Sequence, residues 1–297
     1  MSKFSDYKNN IINPKVNNIR RNWFKFSRNQ LSVYGLIIVC LVLFIAIFAP
    51  IISPYPESAG KYINFLEASK PPSTSHLFGT DIFGRDVLTR IFFGYRLSLI
   101  MAAVVLSIVV PTGVVLGLIA GYFRDTWIDT VIMRITDIFV AVPPLVLALA
   151  VCSVLTPGVF NAMLAVSVSW WPWYTRIVYG ITSSLKNEYY VQAVEVIGAK
   201  SVNIIFREIL PNCISLILTK MSLDIAWVIL IGSSLSFVGL GAQQPTPDLG
   251  SMVAEGSRYL PDQWWIAIFP GFAIMIVVLG FNLLGDGLRD MFGSEGV

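Results

Sequence analysis

The sequence contains few charged residues for its length. Only 13% of its 297 residues are Asp, Glu, Lys or Arg, whereas an ordinary soluble domain carries about 25%. Hydrophobic residues make up 55% of the chain, so we predict a polytopic membrane protein and exclude a soluble globular domain. The formal net charge is only +3, which gives no indication of nucleic-acid binding.

Histidine and cysteine are also scarce, and this limits the chemistry that the chain can carry. The single histidine, His76, and the widely spaced Cys40, Cys152 and Cys213 argue against a metal cluster, and the cysteines are expected to pack as small apolar side chains. The motifs His-Glu-x-x-His, Gly-x-Ser-x-Gly and Gly-x-x-x-x-Gly-Lys-Ser are absent. An intramembrane enzyme is therefore disfavoured, and we expect the chain to bind no nucleotide, metal or other cofactor.

Long hydrophobic runs occupy most of the sequence. The basic N-terminal region, residues 1–30, shows no cleavage site after the first run, so we interpret it as a cytoplasmic tail before a retained span rather than a signal peptide. Residues 31–297 then form one transmembrane domain, with each run long enough for the ~20 residues that a helix needs to cross a bilayer. We predict an all-α fold with six transmembrane helices at about 31–52, 97–121, 133–155, 160–181, 212–240 and 264–286.

The distribution of Lys and Arg predicts the orientation of these six helices. With the N-terminus in the cytoplasm, the inner segments hold fifteen Lys and Arg residues and the outer segments hold six. An even number of spans then places the C-terminus in the cytoplasm as well. This topology puts residues 53–96 and 241–263 outside the cytoplasmic membrane and residues 188–211 inside, on the side where ATP is available.

A charged, helix-patterned stretch, residues 188–212, lies between the fourth and fifth runs. Gly198 breaks the helical pattern, and we expect Pro211 to stop the second helix before the next span begins. The stretch therefore predicts two short amphipathic helices, hinged at Gly198, whose shape suits a groove in another protein. The first apolar face consists of Val191, Val194 and Ile197, and the second of Val202, Ile205, Phe206 and Ile209.

The same stretch resembles a loop shared by the permease subunits of binding-protein-dependent ABC importers. The family pattern is Glu-Ala-Ala, three residues, Gly, nine residues, Ile, one residue, Leu-Pro. Its counterpart here is Gln192-Ala193-Val194, then Gly198, then Leu210-Pro211, with Gln192 in place of the glutamate and Glu208 in place of the isoleucine. In the family this loop is the coupling helix that docks into the cytoplasmic ATPase, so the resemblance implies that role for residues 188–211.

Three further blocks carry a closer resemblance, and together they run in the expected order from about residue 76 to 290. Residues 77–90 are similar to the Gly-Thr-Asp-x-x-Gly-Arg-Asp block of the dipeptide, oligopeptide and nickel permeases, in the second of their two membrane subunits. Residues 235–252 resemble the segment after the fifth span of that subunit, and residues 281–290 resemble its C-terminal signature.

Read from its residues alone, the first of these blocks predicts a structured external loop. Gly79 and Gly84 permit tight turns, and Asp81 and Asp86 are suited to capping helices. The alternative is that this block contacts a docking partner or the substrate.

The resemblance implies a transport permease that forms one half of a pore. It implies a homologous second permease subunit, two cytoplasmic ATPase subunits that bind ATP and magnesium, and an extracellular substrate-binding protein. Peptides are the expected cargo, and nickel or a metal chelate is the alternative. A secondary transporter coupled to an ion is a remote third hypothesis, which only the intramembrane acid Asp224 favours.

Several residues are candidates for the translocation path or its gate. Asp224 is expected either to pair with the partner subunit or to line a path for a charged peptide terminus or a metal complex. A second acid, Asp137, is expected to pair with Arg134. Pro143 and Pro144 interrupt the third span and could act as a hinge. The stretch 239–250 is either a rigid cap at the outer end of the path or an ordinary connection; its relevant residues are Gly239, Gly241, Pro245 and Pro247.

Overall fold

A computed structural model describes residues 23, 24 and 26–292 of the chain. Within these residues the secondary structure is helical, with one isolated bridge between Thr80 and Asp86 and no strand. Most of the predicted tail, residues 1–30, lies outside the described part. Numbered from Gln30, the helices are α1 Gln30–Ile52, α2 Val87–Tyr122, α3 Trp127–Val140, α4 Pro144–Val154, α5 Val159–Leu185, α6 Tyr189–Val196, α7 Ser201–Phe237, α8 Leu249–Ser257 and α9 Trp265–Phe292.

Four of these helices, α1, α2, α7 and α9, are long and apolar enough to cross a membrane, which confirms a polytopic membrane fold. The count becomes five if α3 and α4 together form one span. The predicted fourth span, 160–181, falls within α5, which is not among the helices that are apolar enough to cross a membrane. Its 27 residues include buried Ser167, Ser169 and Thr175, and these polar side chains lower its hydropathy.

The predicted third span, 133–155, is broken rather than straight. Helices α3 and α4 meet at an angle of 88° across residues 141–143. Two prolines account for the break, because Pro144 disfavours a helical backbone at Pro143 and neither residue has an N–H to donate. Pro144 instead occupies the first turn of α4, where a missing N–H costs least.

The second span begins earlier than the sequence predicted, so residues 87–96 belong to α2 rather than to the external segment 53–96. Helix α2 starts at Val87 because the Asp86 carboxylate caps it, accepting a hydrogen bond from the Thr89 N–H at 2.8 Å. The predicted external segment 241–263 likewise contains helix α8, which Asp248 caps through the Ser251 N–H at 2.9 Å. The capping role predicted for Asp86 is thereby confirmed.

Glycines on α2 fix how this helix packs against α5. Successive glycines, Gly113, Gly117 and Gly121, lie against successive turns of α5, from Trp171 to Thr182. The two helices therefore run in the same direction, and α2 ends beside the end of α5. As a result, the segment 53–86 before α2 and the segment 186–209 after α5 lie at opposite ends of the helix bundle.

Helix α9 closes the bundle by running antiparallel to α1. Gly280 approaches Ile38, whereas Gly287, two turns further along α9, approaches Ser32. The start of α9 lies at the other end of the bundle, where the Trp265 indole donates to the Thr80 carbonyl at 3.1 Å. Small residues let these apolar helices approach closely, as is usual in membrane bundles.

The α2–α5 contact makes a testable prediction about stability. A Cβ added at Gly117 would lie 2.6 Å from the Thr175 carbonyl oxygen, so Gly117→Ala should destabilise the protein by about 1–3 kcal/mol. Gly180, on α5, has no atom within 4 Å of such a Cβ, and Gly180→Ala should be neutral or stabilising. Thermal unfolding of both variants in detergent measures the difference; equal melting temperatures would contradict the close packing.

Candidate functional site

The segment 188–211 forms two helices with a turn at Gly198, as predicted. Helix α6 covers Tyr189–Val196, and Gly198 adopts a φ of +85°, a left-handed conformation that favours glycine. The Gly198 N–H then bonds to the Glu195 carbonyl at 2.9 Å, which closes the end of α6. The chain resumes a helical conformation at Ser201.

The expected stop at Pro211 is wrong. The chain is helical without interruption from Ser201 to Phe237, so the second short helix is the first part of span α7. Residues Ile204–Ile209 are π-helical, and the Leu210 N–H reaches back five residues to the Ile205 carbonyl. This wider turn gives the Pro211 ring room that a regular α-helix would not.

The π-helical turns also divide the apolar face that the sequence predicted for this helix. Ile205 and Ile209 are buried in the core, but Val202 is 63% exposed and Phe206 is 47% exposed. The physical reason is that a π-turn holds more residues than an α-turn, so residues three and four apart no longer share one face. Ile204, which was not part of the prediction, is fully buried instead.

We call the exposed large apolar side chains of residues 188–211 the coupling surface. It surrounds Gly198, whose missing side chain would meet no atom within 4 Å. Gln192 and Ala193 are also exposed; the Gln192 amide donates to the Asn187 carbonyl at 3.1 Å, and Val194 packs partly against the core. The members of the coupling surface are Tyr189, Tyr190, Val196, Ile197, Val202 and Phe206.

A network of buried charges occupies the opposite end of the bundle. The Arg85 Nε donates to the Asp81 carboxylate at 2.7 Å, and the Arg90 Nε lies 3.6 Å from the same Asp81 oxygen. Arg85, Arg90 and Asp81 are each at most 3% exposed. The sequence predicted a structured loop here, and these ion pairs are among the contacts that order it.

The same two arginines connect this loop to the distant segment 241–257. The Arg85 Nη1 donates to the Gln244 amide oxygen at 2.8 Å, and the Arg90 Nη1 donates to the Pro245 carbonyl at 3.3 Å. Gln244 in turn donates to the Glu255 carboxylate at 3.0 Å. Because the two arginine contacts join residues 155 and 159 positions apart, no local pattern of residues indicates them.

The acid Glu255 makes the stability of this network depend on pH. Burial, together with the Asp81 charge, raises the pKa of Glu255 above its ordinary value, although Arg85 and Arg90 oppose the shift. A raised carboxyl pKa means that the folded state binds more protons than the unfolded state, so stability is lost as the pH rises through that range.

Glu255→Gln should therefore remove part of this pH dependence. Below the ordinary Glu pKa of about 4.5 the variant and the wild type should unfold at similar temperatures. As the pH rises through the raised pKa, the variant should become progressively more stable relative to the wild type. Melting temperatures in detergent across this range test the prediction, and a gap that stays constant with pH would refute it.

Asp224 lies inside span α7 and pairs within its own chain. Its carboxylate is fully buried and accepts from the Lys220 ammonium at 2.5 Å, one helical turn away. The Lys220 Nζ also lies 5.8 Å from the ring centroids of both Trp170 and Tyr174 on α5, within the range of cation–π attraction. Lys220 lies four residues before Asp224, a spacing that is visible in the sequence, and the expected pairing of Asp224 with a partner subunit stays a prediction.

Asp137 also has a different partner from the expected one. Its carboxylate accepts from the Arg176 Nη2 at 2.6 Å, which ties α3 to α5, whereas the sequence favoured Arg134. Local spacing suggested Arg134, but tertiary packing brings Arg176 closer. Nothing in the linear sequence indicated Arg176.

The remaining gate candidates lie in separate regions. Pro143 and Pro144 form the break between α3 and α4, with Pro143 exposed. Gly239 ends α7 with a φ of +89° and is exposed, about 22 Å along the helix axis from Asp224 at 1.5 Å per residue. The other three members of the set are part of the network end: Gly241 lies against Ser236, Pro245 accepts from Arg90, and Pro247 is buried.

Comparisons with known proteins agree with this arrangement. Residues 113–294 match the family described as binding-protein-dependent transport system inner membrane component, and residues 18–72 match the N-terminal transmembrane domain of oligopeptide transport permease C. The chain is 41% identical to a dipeptide transport system permease protein of Alkalihalophilus pseudofirmus, covering 91% of this chain and 88% of the relative. It is 40% identical to an oligopeptide transport system permease protein of Bacillus subtilis, covering 90% of this chain and 86% of the relative.

A third relative, a probable D,D-dipeptide transport system permease protein of Escherichia coli, is 40% identical over 90% of this chain and 88% of its own length. The match to the inner membrane component extends from within α2 to the end of α9 and so includes both the coupling surface and the Lys220–Asp224 pair. The chain belongs to the family of inner membrane components of binding-protein-dependent transport systems.

Proposed function

We propose that the protein is the membrane-spanning permease subunit of an ATP-driven importer that carries dipeptides or oligopeptides across the cytoplasmic membrane. The observation that carries this proposal is the near-complete coverage, at about 40% identity, of relatives whose names specify dipeptide or oligopeptide transport. A nickel or metal-chelate cargo has no such support among these relatives. The Lys220 partner of Asp224 also weakens the case for an ion-coupled secondary transporter, since that acid is already neutralised.

We propose six membrane crossings with both termini in the cytoplasm. In support, successive helices connect at alternating ends of the bundle when α3 and α4 count as one crossing and α5 as another. Gly158, between α4 and α5, bonds to the Leu240 carbonyl at 3.2 Å at the network end, whereas Arg124, between α2 and α3, bonds to Ser183 at 2.7 Å at the other end. The excess of Lys and Arg then assigns the coupling surface to the cytoplasm.

The coupling surface is proposed to dock into a cytoplasmic ATPase subunit. Its apolar side chains are exposed at a helix–turn–helix, a shape that fits a groove in a partner. Because the second helix of this segment is the first part of α7, movement of the docked segment would be passed to the membrane span without an intervening flexible joint. ATP-driven closure of the ATPases would thus swing α7 between inward-open and outward-open arrangements.

The complete transporter is proposed to contain a homologous second permease, two ATPase subunits that bind ATP and magnesium, and an extracellular substrate-binding protein. This chain would supply the path and no hydrolytic chemistry. Within the path, Lys220 is proposed to face the substrate, since its side chain is 24% exposed whereas Asp224 is fully buried. The helix break at Pro143 and Pro144 and the loop from Gly239 to Pro247 are proposed as the moving elements of the gate.

A deletion strain tests the function and its cargo together. We expect it to lose growth on essential amino acids supplied only as dipeptides or oligopeptides, while nickel-dependent urease activity stays normal. Normal peptide growth with lost urease, restored by excess nickel, would reassign the cargo to metal. Copurification of ATPase subunits with the tagged chain separates an ATP-driven permease from a secondary transporter, which would bring none.

A further inference from the structure

A cavity of about 370 Å³ lies beside the charged network, at the end of the bundle opposite the coupling surface. It is large enough for a small peptide, since sites for small molecules begin at about 300 Å³. Three separate segments of the chain form its wall, so it exists only in the folded protein. The lining residues are Lys61, Tyr62, Ile63, Phe83, Arg85, Gln244 and Pro245.

Arg85 brings an incompletely satisfied cation to this cavity. Its side chain is 3% exposed, and its Nε and Nη1 donate to Asp81 and Gln244. Among the described residues its Nη2 has no hydrogen-bond acceptor, and a carboxylate oxygen of Glu255 lies 3.8 Å away. A buried guanidinium with an unused donor is costly, and because Arg85 lines the cavity, an anion there would offset part of that cost through its charge.

The charges around the cavity favour an anion as that acceptor. Lys61, Arg85 and Arg90 contribute three positive charges, and Asp81 and Glu255 contribute two negative charges. Lys61 is exposed at the cavity wall. One further carboxylate would therefore balance the set, and the exposed Lys61 ammonium could donate a charge-assisted hydrogen bond to it.

We propose that this cavity is a carboxylate-binding subsite that takes the C-terminal carboxylate of a peptide on the outer face of the permease. Arg85 and Lys61 would hold the carboxylate, the Gln244 amide would flank it, and the Phe83 and Ile63 side chains would contact the apolar part of the peptide. The proposal rests on the proposed function in peptide import. It adds a recognition step that belongs to the permease itself.

Direct binding to the complete permease–ATPase complex tests this subsite. The complex is placed in nanodiscs without the binding protein, and binding of radiolabelled Ala-Phe is compared with that of its C-terminal amide. We expect the free acid to bind about tenfold more tightly, the usual value of a hydrogen bond to a charged group. Equal binding of the acid and the amide, or no binding of either, would overturn the proposal.

Substitutions then assign the effect to the cavity. Lys61→Gln should weaken Ala-Phe binding about five- to tenfold and leave amide binding unchanged, and Arg85→Lys should do the same if it folds. Lys70→Gln is the matched control, because Lys70 is an exposed lysine of the same external segment that pairs with Glu67 and does not line the cavity. Unchanged binding by Lys61→Gln would overturn the proposal even if Arg85→Lys fails to fold.

Two further measurements distinguish a peptide subsite from a docking site for the binding protein. If Lys61→Gln weakens docking of the substrate-free binding protein but not Ala-Phe binding, the cavity receives an acidic side chain of that protein and the proposal is wrong. Peptide uptake by the fully reconstituted system is measured in parallel. If peptide uptake persists but Ala-Phe binding does not depend on the carboxylate or on Lys61, only the subsite is refuted. If no peptide is taken up, the proposed function is refuted.

Discussion

Gly198→Val is expected to abolish ATP-driven peptide uptake while leaving the protein inserted in the membrane. Gly198 has a φ of +85°, which costs an L-residue roughly 1–2 kcal/mol and a β-branched residue more. Crowding is not the cause, because a Cβ at this position would meet no atom within 4 Å. Valine should therefore change the backbone and turn α6 away from the geometry that the coupling surface needs. Uptake into proteoliposomes and ATPase copurification measure the loss.

Two controls isolate the backbone effect at Gly198. Gly198→Asn should retain most uptake, because asparagine tolerates the left-handed conformation. Gly239→Val imposes the same strain at the opposite end of the bundle, where Gly239 has a φ of +89° and similarly open surroundings. Gly239→Val should keep ATPase subunits bound even if it alters transport. Normal uptake by Gly198→Val would exclude residues 188–211 from coupling.

Features that depend on neighbouring residues were predictable from the sequence. The excess of apolar residues determined the helical membrane class, and the hinge at Gly198 followed from one glycine between two helical patterns. The start of α2 at Val87 was missed because a capping aspartate, rather than hydropathy, sets it. Hydropathy identifies only the apolar part of a helix that lies in the bilayer, and α2 extends beyond that part at its N-terminal end.

Features that depend on tertiary packing were not predictable. Pro211 reads as a helix stop, yet a π-helical segment carries the helix through it, and no residue pattern distinguishes the two outcomes. The partner of Asp137 and the links from Arg85 and Arg90 to segment 241–257 join residues 39 to 159 positions apart. Only the folded arrangement brings α3 against α5, and the start of α2 against the loop before α8.

The buried ion pair in α7 gives the second large expected effect. Asp224→Leu should destabilise the protein by about 3–5 kcal/mol, because it leaves the Lys220 ammonium unpaired inside the membrane domain. Replacing both residues, as Lys220→Met with Asp224→Leu, should recover most of that stability, since paired apolar side chains need no compensation. Unfolding in detergent of the two single variants and the double variant completes a double-mutant cycle.

Uptake by the double variant then separates a structural pair from a pathway residue. If Lys220 faces the substrate, as its partial exposure indicates, the double variant should fold, bind ATPase subunits and still lose peptide uptake by about tenfold or more. The matched control is Arg176→Met with Asp137→Leu, which removes the exposed ion pair between α3 and α5. Normal uptake by the Lys220–Asp224 double variant would show that the pair only holds α7 against Trp170 and Tyr174, and the search for substrate contacts would move to the cavity at Arg85.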